Sequence, residues 1–250
     1  MSESESLALR TEEFEETIAD RTRRFYDGLA ELYPVSSRLF HAKAHRWALE
    51  RSGIENGMSV LEVAGGSGEV FRKLLQMNPD GLTISTDLAP KMSAYTLKRA
   101  RREMPWAKAF CGATDVRDLP FRDHAFDSVV CFYLLELLGT QDIFLTLREI
   151  RRVLKPGGKL SLIVIGQNKK MFNRAYIAGA SILPQFWGRQ MEASSAPLLK
   201  EIGLNVVADR YIQQGWYPSR VLIAENPVEE ELEEFPDPVI AESVVDQLRS

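Results

Sequence analysis

The chain has 250 residues, 45% hydrophobic and 26% charged, enough for the core of one globular domain with appendages. Its net charge of −4 is set by its end: after Glu225, eight carboxylates face one arginine, so residues 1–225 carry about +3. This balance speaks against nucleic acid as the main partner, and no apolar run reaches the ~18 residues of a membrane span.

Cys111 and Cys131 lack the spacing of a metal or redox motif, and the acidic start MSESESLALRTEEFEE does not resemble a secretory signal. Both features lead us to expect a reduced, cytoplasmic protein.

Residues 1–9 show no pattern. Phe14, Ile18, Phe25 and Leu29 fit one face of a helix between Thr11 and Leu32, broken near Pro34. A second helix is expected from Ser36 to Arg51, stopping at Gly53, so that residues 1–52 form a helical cap. Strands and helices then alternate: strand 58–63 and helix 68–77, strand 82–87 and helix 90–103, a short strand at 107–111, strand 126–132 and helix 141–154. A turn at Pro156-Gly157-Gly158 leads into strand 159–165. Such alternation implies a parallel sheet with helices on both faces. A glycine-interrupted helical segment at 169–188 and a helix at 191–202 follow. Strands 204–213 and 219–225 read as a hairpin that adds an antiparallel pair to the sheet. The expected divisions are a body at 53–225, with 169–203 as a substrate-covering insertion, and an acidic tail at 226–250.

Residues 60–68, VLEVAGGSG, carry the strongest signal. A short apolar strand containing Glu62 runs into glycines and then into the helix EVFRKLLQM. Glycines allow close approach of the backbone to a ligand, and the first turn of a helix offers unpaired N–H donors. A dinucleotide fingerprint would need glycine or alanine three residues after Gly68, where Phe71 stands. A phosphate loop would need Gly-Lys-Ser/Thr, which is lacking. Asp87, about 20 residues downstream at a strand end, suits a ribose diol, with a helix cap as the plainer alternative.

The segments VLEVAGGSGEV, TDLAPKM, ATDVRDLPFRDHAFDSVVCFYLLELL and EIRRVLKPGGKLSLI resemble the Rossmann-like S-adenosylmethionine-dependent methyltransferases, above all the ubiquinone/menaquinone methyltransferase-like family. The resemblance implies the Rossmann-like methyltransferase fold, a seven-stranded, mostly parallel sheet ending in an antiparallel hairpin. It also implies S-adenosyl-L-methionine as cofactor. Glu62 with the backbone of Ala64, Gly65, Gly66, Ser67 and Gly68 would surround its methionine portion. Asp87 would hold the ribose hydroxyls, with Leu88 beside the adenine and Met92 near it. Asp115 and the Val116 N–H would meet the adenine edge, and Phe132 would line the cofactor on the substrate side. Two positions depart from the family. Ala64 replaces a glycine, which a negative φ would accommodate, and Pro34 replaces the Asp of a Tyr-Asp pair, leaving Tyr33 as a weaker contact.

Methyl transfer asks mainly for positioning, and for a base only when the acceptor loses a proton. His41 and His45 lie one helical turn apart and, with Tyr26, Tyr33 and Tyr133, are the candidate bases; half-buried helix histidines are the plainer reading. His124 reads as a solvated turn residue, and Glu136 either faces the acceptor or begins a loop. The catalytic residue stays unassigned and no metal is expected. The aromatic and aliphatic segment 171–191 suits an aromatic or amphiphilic, lipid-like acceptor, or else core or a homodimer contact. KRARR at 98–102 and REIRR at 148–152 read as solvated helix faces, with peripheral contact to anionic lipid as the sharper alternative. Two rivals remain: a catalytically inactive cofactor-binding regulatory or partner subunit, and a nicotinamide-dependent oxidoreductase.

Overall fold

The computed structural model describes residues 34–166, 191–214 and 218–228. The expected helix at 11–32, Tyr26, Tyr33, the segment 169–188 and the tail beyond Val228 lie outside these residues. Seven strands form one sheet: β1 Ser59–Val63, β2 Leu82–Asp87, β3 Lys108–Ala113, β4 Phe126–Phe132, β5 Leu154–Ile165, β6 Asn205–Ile212 and β7 Ser219–Glu225. Their spatial order is β3-β2-β1-β4-β5-β7-β6. The first five pair in parallel, and β7 pairs antiparallel with both β5 and β6, as the hairpin reading requires. Among the described residues one helix, α1 Pro34–Arg51, precedes the sheet and four lie between its strands: α2 Glu69–Met77, α3 Pro90–Glu103, α4 Thr140–Val153 and α5 Glu192–Glu201.

A parallel sheet covered on both faces needs apolar residues on each, and the strands supply them. Leu61, Val129, Cys131, Leu160, Leu162 and Leu222 bury against Ile143, Leu147 and Ile150 of α4 and Leu198 and Leu199 of α5. On the other face Val60 and Val130 meet Leu49 of α1 and Val70 and Leu74 of α2. Ala44 and Ala48 of α1 lie on Ile163 and Val221, small side chains that let the helix approach the sheet closely. Phe71 is buried with Leu75, Ala100 and Met104, where it joins α2 to α3.

Two boundaries differ from expectation. The Pro-Gly-Gly turn does not precede β5 but forms an irregularity within it, since Phe126 pairs with Leu154 and Ser128 with Lys159. Asn226 explains how the excursion is held: Gly157 N–H donates to its carbonyl at 2.7 Å and its own N–H donates to Gly158 O at 2.8 Å. Its side-chain amide also donates to Leu154 O at 3.0 Å. The first residue assigned to the tail is therefore built into the sheet.

Asp127 ties the entrance of the central strands together, accepting the Ser59 N–H at 2.9 Å and pairing with Lys155 Nζ at 2.6 Å. Partial burial pushes its pKa up, but the bonds from Lys155 and Ser59 outweigh this and hold it below the ordinary value. A depressed folded pKa gives stability that is present above the ordinary aspartate range and lost as pH falls through the folded pKa. Asp127→Ala should therefore cost about 1–3 kcal/mol at neutral pH. The gap to the parent should close on acidification, and denaturant melts of both proteins at pH 7 and pH 3 will check this.

Candidate active site

The site grows from the end of β1. After Val63 the chain turns through Ala64–Gly68 before α2 begins at Glu69. Ala64, Gly66 and Gly68 all have positive φ, at 54°, 50° and 76°. The expectation of a negative φ at Ala64 is thus corrected: its methyl group sits in the left-handed region, a strain of roughly 1–2 kcal/mol. The turn is over-determined by its surroundings. Gly65 N–H donates to Thr86 O and Gly68 N–H to Gly65 O, both at 3.0 Å. A Cβ on Gly65 would stand 2.0 Å from Ser85 Oγ and 2.7 Å from Glu62 Oε2, so no other residue fits there.

Glu62 is 4% exposed and accepts the Ser85 hydroxyl at 2.6 Å. Burial raises its pKa to about 8, aided by the Asp87 charge and opposed by bonds from Ser85 and the Phe71 backbone. At neutral pH this carboxyl is therefore mostly protonated. Asp87 ends β2 with both oxygens engaged: Oδ2 accepts the Gly66 N–H at 2.8 Å and Oδ1 the Ala89 N–H at 2.9 Å. It clamps the glycine turn, but it does not cap α3: the N-cap is Ala89, and no side chain caps the helix, so the plainer reading of Asp87 as a helix cap is corrected. Leu88 is half-buried beside it. Met92 has no exposed surface and backs the site from within α3, and Ser67 is buried in the turn.

Sequence reasoning missed the residues that staple the turn from α3. The Thr96 hydroxyl donates to Gly66 O at 2.9 Å. Arg99 reaches Ser67 O at 3.4 Å and Glu69 Oε1 at 2.8 Å. Arg99 belongs to the basic run read as a solvated face, yet it points inward. Arg152 of the second run likewise bonds Glu149, Asp123 and the carbonyls of Leu119 and Phe121. Asp115 was singled out, but its partner was not. Arg117 grips it through Nε at 2.9 Å and also bonds Asp142 at 2.9 Å. Arg117 holds the Asp115 carboxyl below its ordinary pKa. Val116 lies between them, packed on the main core.

The opposite rim is aromatic. Val63 and Cys131 form the last pair of β1 and β4, so Ala64 and Phe132 each follow directly on it. Tyr133 follows with φ 55°. His41 lies 4.3 Å from the Tyr133 ring, and His45 stacks on Phe132 at 5.2 Å. Both candidate histidines of α1 thus meet at the carboxyl end of β4. Glu136 lies in the short 3₁₀ turn Leu135–Leu137, buried, accepting the Ile165 N–H, and raised to about 7 by that burial. Its Oε2 has no hydrogen-bond partner. His124 is exposed as expected, with Nδ1 2.9 Å from Leu154 O. Among the described residues no cluster could hold a metal ion.

Residues 60–158 match the family model described as "Methyltransferase domain". The ubiquinone/menaquinone biosynthesis C-methyltransferase UbiE of Pseudomonas savastanoi is 29% identical over 167 residues, 64% of each chain. That of Bordetella avium is 31% identical over 163 residues, 63% of this chain and 62% of the relative. The chain thus spans less than two thirds of the length of either relative. In fold, a putative methyltransferase of Haloferax volcanii, solved with the activator Trm112, gives a TM-score of 0.69 at 20% identity, covering 83% of this chain and 98% of that one. The N-methyltransferase NodS of Bradyrhizobium japonicum, solved with S-adenosyl-L-homocysteine, gives 0.65 at 17% identity over 84% and 100%.

The strain at Ala64 can be tested directly. Ala64→Gly removes the left-handed penalty but loosens the unfolded chain, so it should stabilise the protein by about 0.5–1 kcal/mol. Urea melts will read this, and a loss of stability would contradict the φ assigned here.

Proposed function

We propose that the chain, whose residues 60–158 are a methyltransferase domain of the Rossmann-like, S-adenosylmethionine-dependent kind, transfers a methyl group to a small aromatic or amphiphilic acceptor. The observation that carries this reading is the glycine turn clamped by Asp87 over the buried Glu62–Ser85 pair. A Cβ on Gly66 would meet nothing within 4 Å, so at that residue the backbone stands open to close approach by a ligand. S-Adenosylmethionine, when bound, supplies a methyl group on a positively charged sulfur. In this reading Glu62 and the backbone of residues 64–68 hold the amino-acid end. Asp87 accepts the ribose hydroxyls on its remaining lone pairs, since each carboxylate oxygen accepts more than one hydrogen bond. Leu88, Asp115 and Val116 border the adenine, with Met92 behind them, and Phe132 separates the cofactor from the acceptor.

The chain's own work is then positioning and exclusion of water. Bringing an acceptor atom to about 3 Å from a fixed methyl group converts a two-body encounter into an oriented one, which supplies most of the rate. The aromatic rim of Phe132, Tyr133, His41 and His45 supports an acceptor with a flat or apolar body. The relatives named for ubiquinone/menaquinone biosynthesis point the same way. Tyr33, as a cofactor contact, and residues 169–203, as a cover over the acceptor, belong to this reading; Tyr33 and the cover up to residue 190 lie outside the described residues. We place the protein in the cytoplasm, in keeping with its two free thiols.

Calorimetry with S-adenosylhomocysteine and, separately, NADH tests the reading. The first should bind and the second should not. Asp87→Ala should weaken S-adenosylhomocysteine binding by ~1.5–3 kcal/mol, the usual cost of losing hydrogen bonds to a charged group. Unchanged affinity refutes the ribose assignment. A cationic amino group arriving beside Glu62 should also lower its pKa from about 8. Binding at pH 7 should therefore release protons, seen as a buffer-dependent heat, and Glu62→Gln should abolish that release.

A further inference from the structure

The aromatic rim contains a polar group that no described residue bonds. His45 is 7% exposed, and its Nε2 has no hydrogen-bond partner among the described residues. A buried ring nitrogen left this way is expensive, and native structures rarely keep one without a use for it. Two neighbouring polar side chains, Tyr133 and Gln214, are satisfied within the fold. Tyr133 Oη pairs with Ser219 Oγ at 2.8 Å, and Gln214 Nε2 donates to the same Ser219 oxygen at 3.2 Å. Gln214 Oε1 accepts the N–H groups of Lys43 and Ala44 at 3.0 and 3.2 Å, which fixes α1 on the sheet and His45 with it. The ring is held among His41 at 5.7 Å, Phe132 at 5.2 Å and Tyr133 at 5.9 Å. Ala64 and Phe132 each follow directly on the last β1–β4 pair, Val63 with Cys131, and Ala64 and Tyr133 are both non-glycine residues with positive φ. Backbone strain of this kind gathers where function demands it.

We propose that His45 is a positioning residue on the acceptor side of the site, its Nε2 receiving a hydroxyl of the methyl acceptor while Phe132, His41 and Tyr133 enclose the acceptor's body. This rests on the methyltransferase reading and adds the chemical feature by which the acceptor is chosen. A hydroxyl suits either tautomer of the ring, donating to a bare nitrogen or accepting from an N–H, whereas a carbonyl suits only one. Burial, then the charges of His41 and Lys73, lower the pKa of His45 to about 3, so the ring stays neutral and orients the hydroxyl without storing its proton. A site built to pair a hydroxyl rejects analogues lacking it far more strongly than an apolar pocket rejects a change of size.

The matched probes 2-naphthol and 2-methoxynaphthalene test this, titrated by calorimetry into the full chain with and without S-adenosylhomocysteine. The parent protein should prefer the naphthol at least tenfold. His45→Phe should reduce that preference to within threefold by weakening the naphthol alone, and should not lower the Tm. His45→Gln, whose amide can still pair with a hydroxyl, should restore part of the preference. The His45 ring ¹⁵N signal should shift with 2-naphthol and not with its ether. A parent preference near one, with or without binding, overturns the proposal. So does a preference that survives His45→Phe, or an equal loss for both probes. Failure of S-adenosylhomocysteine to bind the parent would instead defeat the functional reading, leaving the naphthol ratio to judge His45 by itself.

Discussion

Beneath the turn that ends β1, a carboxyl group almost sealed from water meets the hydroxyl of Ser85, and both fill the space that a side chain on Gly65 would claim. The rest of the site follows from this contact. Because the turn rests on polar side chains instead of a methyl or larger group, its backbone is brought close to the strand ends. Asp87 can then reach Gly66 from β2, and Thr96 and Arg99 can reach over from α3. Neighbouring strands of a parallel sheet bring their carboxyl ends to one edge, so these residues, far apart in the chain, converge without any long loop.

Burial selects the protonation state of each group at this edge. Glu62 is held largely neutral, His41 and His45 are kept uncharged with pKa values near 4 and 3, and Asp115 is held ionised by Arg117. The described site therefore divides into an anionic half at Asp87 and Asp115 and a neutral, aromatic half at Phe132, Tyr133 and α1. In the function proposed above, the nucleoside end of the cofactor lies at the first half and the acceptor at the second.

Much of this was legible in the residues alone. The strands at 82–87 and 126–132 and the helix at 90–103 fall where apolar alternation and helical spacing placed them, because both faces of the sheet are covered and the signal is strong. The glycine turn was legible because glycine is the residue that such a backbone requires. Ala64 was misread because a left-handed alanine is held by neighbours that a local pattern does not display. Thr96 and Arg99 were missed for a related reason: a basic or hydroxyl residue on a helix looks alike whether it faces water or a carbonyl 30 residues away. Arg117, in the turn after β3, shows its role only once the fold brings Asp142 beside it. The irregularity in β5 needed Asn226, some 70 residues downstream, to become intelligible.

Arg99 and Arg152 have a wider bearing. Counted by sign alone, their helices present cationic stripes suited to an anionic surface. Yet both guanidinium groups are already spent within the molecule, on Glu69, Glu103, Glu149, Asp123 and main-chain oxygens. The field that a passing vesicle or polyanion would feel is correspondingly weaker than arithmetic suggests. Added salt would act on these arginines by relaxing the architecture around the glycine turn, at Arg99, and around residues 119–123, at Arg152, more than by dissolving any encounter with a charged surface.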